Sequence, residues 1–333
     1  MKTPTTLEAL HQAASEPTPA ALAAIEACPG DLLVLGAGGK MGLHLCLMLR
    51  RCLDQLDRRD SITAVSRWGD PAAREEFESL GIPTLACDLT SEGELAALPD
   101  APNIFFLAGV KFGTASRPEL LHQMNVEMPL LVASRFAQSA IVALSTGCVY
   151  SFVAPDSGGS TESDPTDPPG DYARSCRGRE RAFADSGARC SLIRLNYSVD
   201  LRYGVLVDIA QRAFAGLPID VSTGFVNVIW QGDATAYIIA SLARASTPPF
   251  ILNVTGTRIL RVRDIAEQLV ASPTFSGEEA ASAWLNDASL SHRLFGAPRV
   301  SEEELIRHVA NWLQAGGETL GRPTHFETRD GSY

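Results

Sequence analysis

Residues 31–51 read DLLVLGAGGKMGLHLCLMLRR. Asp31 to Leu35 is an apolar run of strand length, and from Met41 onward Met41, Leu45, Met48 and Leu49 recur at helical spacing. Between them Gly36, Gly39 and Gly42 stand three residues apart. In a strand–turn–helix of this kind one glycine permits the tight bend, one lets the backbone approach a pyrophosphate, and one lets the helix pack close to the sheet. Phosphate then sits on the unpaired N–H groups at the helix N-terminus, where the helix dipole favours negative charge. The stretch predicts a dinucleotide site built on Gly36, Gly39, Lys40, Met41 and Gly42. The competing reading is an ordinary glycine-rich turn between strand and helix.

Working outward, apolar strand candidates at 61–66, 83–86, 103–108, 140–145 and 190–195 alternate with helical segments. That alternation implies right-handed βαβ crossovers, so the expected fold is α/β, a Rossmann-type doubly wound parallel sheet. Residues 1–29 read as a helical extension, with Thr18 as N-cap and Pro19 at the first helical position of its second helix. The dinucleotide-binding domain is expected over 30–198. Residues 199–333 are expected to be mostly a smaller substrate-covering region, with some segments returning to the first domain. There, helices are predicted at 205–216, 232–244, 262–270 and 301–315, and short strands near 225–229 and 250–254. The stretch 151–170 is loop by composition, and the last thirteen residues are polar.

The 333 residues carry a net charge of −11 without an offsetting basic cluster, which argues against nucleic-acid and anionic-membrane partners. No apolar stretch is long enough to span a bilayer, and the acidic N-terminus lacks the apolar core of a signal peptide. The seven cysteines (28, 46, 52, 87, 148, 176 and 190) have no CxxC spacing and suit reduced thiols in a cytoplasm. The six histidines show no metal-ligand spacing, so no metal is expected.

An NAD site usually places an acid about 20 residues past the glycine turn, on the ribose hydroxyls. Here the second strand ends AVSRWGD, putting Ser66 and Arg67 at that place. A guanidinium there pairs bidentately with a 2′-phosphate, so NADP is favoured over NAD. Were Arg67 only a solvated arginine, backbone contacts would hold NAD instead.

Further motifs fall into order. ACDLT places Asp88 after the third strand, FFLAGVKFG places Ala108-Gly109 after the fourth, Asn125 lies in the next helix, STGCVYS follows the fifth strand, and DYARSCRGRE opens a helix. With the glycine turn, this set resembles the extended short-chain dehydrogenase/reductases, the NAD-dependent epimerase/dehydratase family, over roughly residues 31–255. The resemblance implies that Asp88 and Leu89 meet the adenine and that Ala108 and Gly109 pass the ribose and phosphates. It puts Asn125 at the site, and Lys111 at the nicotinamide end or the substrate. It makes Thr146 and Tyr172 the catalytic hydroxyls, and lays Leu195 and Asn196 beside the nicotinamide. It further implies a homodimer paired through helices near 117–137 and 171–186.

One departure stands out. The family's YxxxK motif reads here Tyr172-Ala-Arg-Ser-Cys176, so Cys176 occupies the cofactor-side lysine position. Bringing a free tyrosine from about 10 to about 7 takes roughly 4 kcal/mol of preferential phenolate stabilisation. A neutral thiol cannot supply it. Three readings stand open: Lys111, Arg174 or Arg177 supplies the charge from another direction; Tyr172 stays protonated and only donates a hydrogen bond; or the chain binds the nucleotide without turnover. Cys176 itself is read as inert packing. The chemistry the resemblance implies is hydride transfer at a carbinol carbon of a sugar-like or polyhydroxy carbonyl substrate, as an oxidoreductase or epimerase. The alternative is a non-catalytic NADP-binding protein, such as a redox-responsive regulator. Sugar 4,6-dehydratases of this family carry Asp-Glu after the Thr, where this chain has Gly147-Cys148.

Overall fold

A computed structural model describes residues 2–114 and 117–331, so the last two residues of the polar tail lie outside the described residues. Six strands alternate with helices through the first two hundred residues: β1 (Leu32–Leu35), β2 (Ile62–Ser66), β3 (Thr84–Ala86), β4 (Asn103–Phe106), β5 (Ala140–Thr146) and β6 (Arg189–Leu195). Four two-residue strands follow: β7 (Ser198–Val199), β8 (Ile219–Asp220), β9 (Phe225–Val226) and β10 (Ile229–Trp230). After them come β11 (Phe250–Val254), β12 (Leu260–Arg261) and β13 (Phe275–Ser276). The main sheet runs β11-β6-β5-β4-β1-β2-β3, and every neighbouring pair in it is parallel. This is the doubly wound order 3-2-1-4-5-6 with one further strand on its edge.

The sheet is buried on both faces, which is why its strands read as unbroken apolar runs. Alternate residues of β1 point to opposite sides. Leu32 and Val34 join a core with α2 (Pro19–Ala27), α3 (Gly42–Gln55) and α10 (Gln231–Ala240). Leu33 and Leu35 join the opposite core with α7 (Met128–Arg135) and α8 (Asp171–Asp185), through Val132 and Phe183. A third cluster gathers α9 (Val205–Phe214), α11 (Val262–Leu269) and α13 (Glu302–Gln314) around Trp230, which is 1% exposed. The predicted helix at 232–244 ends as an α-helix at Ala240 and continues as a 3-10 turn over Ser241–Arg244. Among the described residues no helix is long and apolar enough to cross a membrane.

The N-terminal helices are woven into the body. α1 (Leu7–Ala14) and α2 are capped by Thr6 and Thr18, and Pro19 stands at the first helical position as its fixed φ favours. Ile25 is buried against the sheet core, whereas Leu10 and Ala14 belong to the third cluster.

Candidate dinucleotide and active site

The glycine turn is pinned from below. The N–H groups of Gly36 and Ala37 both donate to Val65 O, at 2.8 and 3.0 Å. Gly36 has φ +83°, and a Cβ on it would lie 2.5 Å from the Ala108 nitrogen. The bend and the close approach of the segment after β4 therefore both demand glycine. A Cβ on Gly42 would lie 2.0 Å from Ala37 O, so α3 seats directly on the turn. Gly39 meets nothing within 4 Å except Gly36 O at 3.5 Å, and its outer side opens into a groove. Met41, at the start of α3, brings no side-chain acceptor to the first-turn N–H groups, beside the groove that it lines with Lys40 and Gly42. The Lys40 ammonium crosses to Ser198 O at 3.2 Å and sits over the Tyr203 ring, tying the turn to the second half of the chain.

The groove runs along the carboxyl ends of the strands in two adjoining parts that share Gly36, Gly39, Leu107 and Gly109. One part gathers Ser66 at the end of β2 and Arg67 just after it, Asp88 and Leu89 after β3, and Ala108. Asp88 Oδ1 accepts from Thr90 N at 3.0 Å and Thr90 Oγ1 at 2.7 Å. These bonds hold its carboxyl below the usual range, and the Arg67 guanidinium adds to the effect. The other part gathers Lys111 from the loop after β4, Leu144 and Ser145 from β5, Leu195 from β6, and Tyr172 and Arg179 from α8.

Tyr172 and Cys176 stand one turn apart on α8, with phenol and thiol beside each other. Burial, with Cys176 and Cys148 beside it, pushes the Tyr172 phenol well above its ordinary value; Arg179 opposes this. Lys111 Nζ lies 5.6 Å from the Tyr172 ring centroid. Burial lowers its pKa, against the pull of Cys148, Cys176 and Glu327.

Of the three arginines and one lysine around Tyr172, the sequence pointed to Lys111, Arg174 and Arg177; those that line the groove are Lys111 and Arg179. Arg174 is exposed and paired with Asp171 at 2.6 Å, and Arg177 lines a separate pocket beside Pro248 and Ile251. Neither reaches the groove. Arg179 does, and its isolated position in the motif carried no signal for it. Four expected site residues stand behind the groove wall instead of lining it. Asn125 is fully buried: its Oδ1 accepts from Val110 N and Arg179, and its Nδ2 donates to Val110 O and Ser175 Oγ. Asn196 donates to Asn227 Oδ1 and Trp284 O. Cys176 is fully buried against Val149 and Tyr150. Thr146 ends β5 with its Oγ1 accepting from Cys148 N at 3.2 Å.

Behind the wall lies a fully satisfied polar layer. Glu180 makes a bidentate pair with Arg194 at 3.0 and 2.8 Å and accepts from Ser145 Oγ at 2.6 Å. Arg194 also donates to Tyr150 OH, which donates to Asn253 Oδ1.

Comparison with known proteins agrees with this geometry. Pal from Bacillus thuringiensis superposes with a TM-score of 0.72 at 16% identity, covering 86% of this chain and 99% of that one. The dTDP-glucose 4,6-dehydratase DesIV double mutant from Streptomyces venezuelae, solved with NAD and DAU bound, superposes with a TM-score of 0.72 at 19% identity, covering 85% and 96%. UDP-glucuronic acid 4-epimerase from Bacillus cereus, in complex with UDP-glucuronic acid and NAD, gives a TM-score of 0.68 at 15% identity, covering 85% and 99%. At these identities the likeness establishes the fold. No curated protein sequence matches the chain. Residues 32–192, from β1 into β6, match the model of the NAD dependent epimerase/dehydratase family. The glycine turn, the two-part groove and strands β1 to β6 fall within or directly beside that span, and residues 32–192 form a domain of the NAD-dependent epimerase/dehydratase family.

Proposed function

We propose that the groove binds a nicotinamide dinucleotide, NADP in preference to NAD, and that the protein exchanges hydride with a carbinol or carbonyl carbon of a nucleotide-sugar-like substrate. The observation that carries this reading is the single groove leading from Arg67 and Asp88, past the glycine turn, to Tyr172 and Lys111. The residues fit such a ligand: Gly39 leaves open space above the turn, and the buried Arg179 Nε in the groove wall has no protein acceptor. The solved neighbours with NAD, UDP-glucuronic acid or DAU bound support the ligand class. Arg67, exposed at the end of β2, supports the 2′-phosphate. Pairing of two copies through α7 and α8 belongs to the same reading; Leu130, 49% exposed on α7, supports it.

When bound, the cofactor supplies the hydride exchange itself. The chain supplies protons and position. Tyr172 is protonated at neutral pH and offers its hydroxyl to a substrate oxygen as a hydrogen-bond donor; in the reducing direction full transfer of that proton requires the bound substrate to offset the burial that raises its pKa. Thr146, behind the groove wall, has its Oγ1 committed to Cys148 N–H and holds the turn after β5 rather than the substrate oxygen. Lys111 places positive charge beside the ring. Gly147 and Cys148 offer no carboxyl pair for elimination of the sugar 4,6-dehydratase kind.

The test is a dinucleotide titration followed by turnover with a panel of nucleotide sugars. The expected result is tighter binding of NADPH than NADH, and turnover abolished in Tyr172→Phe. Tighter NADH binding overturns the NADP assignment, and unchanged turnover in Tyr172→Phe removes that residue from the mechanism. Dinucleotide binding with no turnover on the panel favours the non-catalytic reading, for which the raised Tyr172 pKa speaks.

A further inference from the structure

We propose that Arg179 has taken over the task of the missing motif lysine, so that the cation holding the nicotinamide half of the dinucleotide comes from one turn further along α8. This rests on the dinucleotide reading of the groove.

Four observations converge on it. Residues 172, 176 and 179 stand at helical spacings of four and three, so all three project from one face of α8. Arg179 alone carries a cation from that face into the groove, which Tyr172 also lines. Arg179 is 7% exposed, and its guanidinium is held in place by Leu144 O at 2.9 Å and by Asn125 Oδ1. Both partners are neutral acceptors. The carboxylate next to it in sequence, Glu180, is committed to Arg194, and among the described residues no carboxylate lies within ion-pair range of Arg179.

A buried guanidinium without an anion is costly, and a buried N–H without an acceptor adds to that cost. Arg179 Nε–H is such a group. The surroundings nevertheless make room for it. A Cβ on Gly109 would lie 2.1 Å from Arg179 Nη2, so the turn after β4 must be glycine for the guanidinium to fit. Asn125, 0% exposed, spends one acceptor position on it and the rest of its amide on Val110 of the same loop and on Ser175 Oγ of α8. An arginine fixed by neutral partners, with an unmet donor, next to the glycine turn, is arranged for a ligand that brings acceptor oxygens. Ribose hydroxyls and phosphate oxygens are such acceptors, and a planar fork serves them with several donors at once. The same placement explains why a thiol is tolerated at position 176. A lysine ammonium there would share the face with the Arg179 guanidinium and meet it across one turn.

The experiment measures NADPH, NADH and AMP affinities for the wild-type protein, Arg179→Met, and the double variant Arg179→Met/Cys176→Lys, with thermal melts of each. In Arg179→Met the expected result is at least a tenfold loss of affinity for both reduced dinucleotides. AMP, which reaches only the Arg67–Asp88 part of the groove, should bind as before. A general structural role would weaken AMP binding as well. Adding Lys at 176 in the double variant should restore most of the lost dinucleotide affinity. Equal NADPH and NADH binding by wild type and Arg179→Met overturns the proposal while leaving the dinucleotide reading intact. Absence of dinucleotide binding in the wild type overturns both. Should Arg179→Met not fold, Cys176→Lys alone decides. Crowded by Arg179, it should bind NADPH more weakly than wild type, and tighter binding would mean that the lysine's place had stayed vacant.

Discussion

Glu180 and Arg194 show how much a single buried pair can matter behind a ligand groove. Both side chains are under 10% exposed, and the carboxylate receives two guanidinium bonds and one hydroxyl bond. Cutting such a pair leaves one charge in a poorly solvating interior, which typically costs about 3–5 kcal/mol. Arg194→Met should therefore lower the unfolding free energy by about that amount in urea titration. A loss under about 1 kcal/mol would mean that Glu180 finds another partner or takes up a proton. Gly36→Ala belongs to the same scale: a left-handed φ and a backbone overlap with Ala108 act together, for a cost of roughly 2–4 kcal/mol. Gly36 was legible in the sequence because a bend after an apolar strand needs one residue type. Arg179 was not, because its partners Asn125 and Leu144 lie 54 and 35 positions away. Asn125 shows the converse error. A polar residue in a motif reads as a ligand contact, yet its amide is used up in fastening the loop after β4 to α8.

At the level of elements, the sheet strands announced themselves as apolar runs because both faces are covered, and their order follows from the crossover rule. The packing of the N-terminal helices was invisible, since helical caps say where a helix starts and nothing about what it covers. In the structure α2 lies against α3 and α10, and α1 reaches the third cluster with Leu10 and Ala14. Each fully buried leucine or isoleucine contributes ~2 kcal/mol, and removing the helices also uncovers the faces they shield. Against a total stability of about 5–15 kcal/mol, a chain lacking residues 1–28 should not hold a native fold. The check is circular dichroism with urea titration of the truncated chain. A cooperative transition with unchanged midpoint would show that the helices are dispensable.

Across the whole molecule, one buried polar chain joins four parts of the sequence and sets an acid limit on the fold. His11 of α1 meets His44 of α3 through Nδ1 and Nε2 at 3.0 Å, His44 Nδ1 meets Gln231 Nε2 of α10 at 2.8 Å, and His11 Nε2 reaches Glu76 at 3.3 Å. Gln231 Nε2 also donates to Lys40 O, which fixes the amide with its N–H toward His44. His44 Nδ1 must then accept, its Nε2–H donates to His11 Nδ1, and His11 Nε2–H donates to Glu76. The scheme closes only with His44 neutral. Burial at 1% exposure depresses its pKa from 6.5 to about 4; Asp200 and Glu76 pull the other way, whereas His11 and Arg202 reinforce the drop. Between those values the unfolded chain binds a proton that the folded protein refuses. Stability is therefore full above pH 6.5 and falls as the pH drops, by up to about 1.4 kcal/mol per unit from this one group. Glu76, whose pKa is lowered from 4.5 chiefly by its bond to His11, loses its contribution only below that value. The interval from 6.5 to 4.5 thus separates His44 from Glu76. His308, also lowered by burial, acts in that interval with the same sign, so the wild-type slope alone does not isolate His44. The difference from His44→Leu does. That variant carries its own cost at neutral pH from the unmet Gln231 donor, but its unfolding free energy, followed by urea titration from pH 7 to 4.5, should fall less steeply by close to one proton. Parallel slopes for the two proteins would mean that His44 is protonated in the folded state and that the chain of bonds runs in the opposite sense.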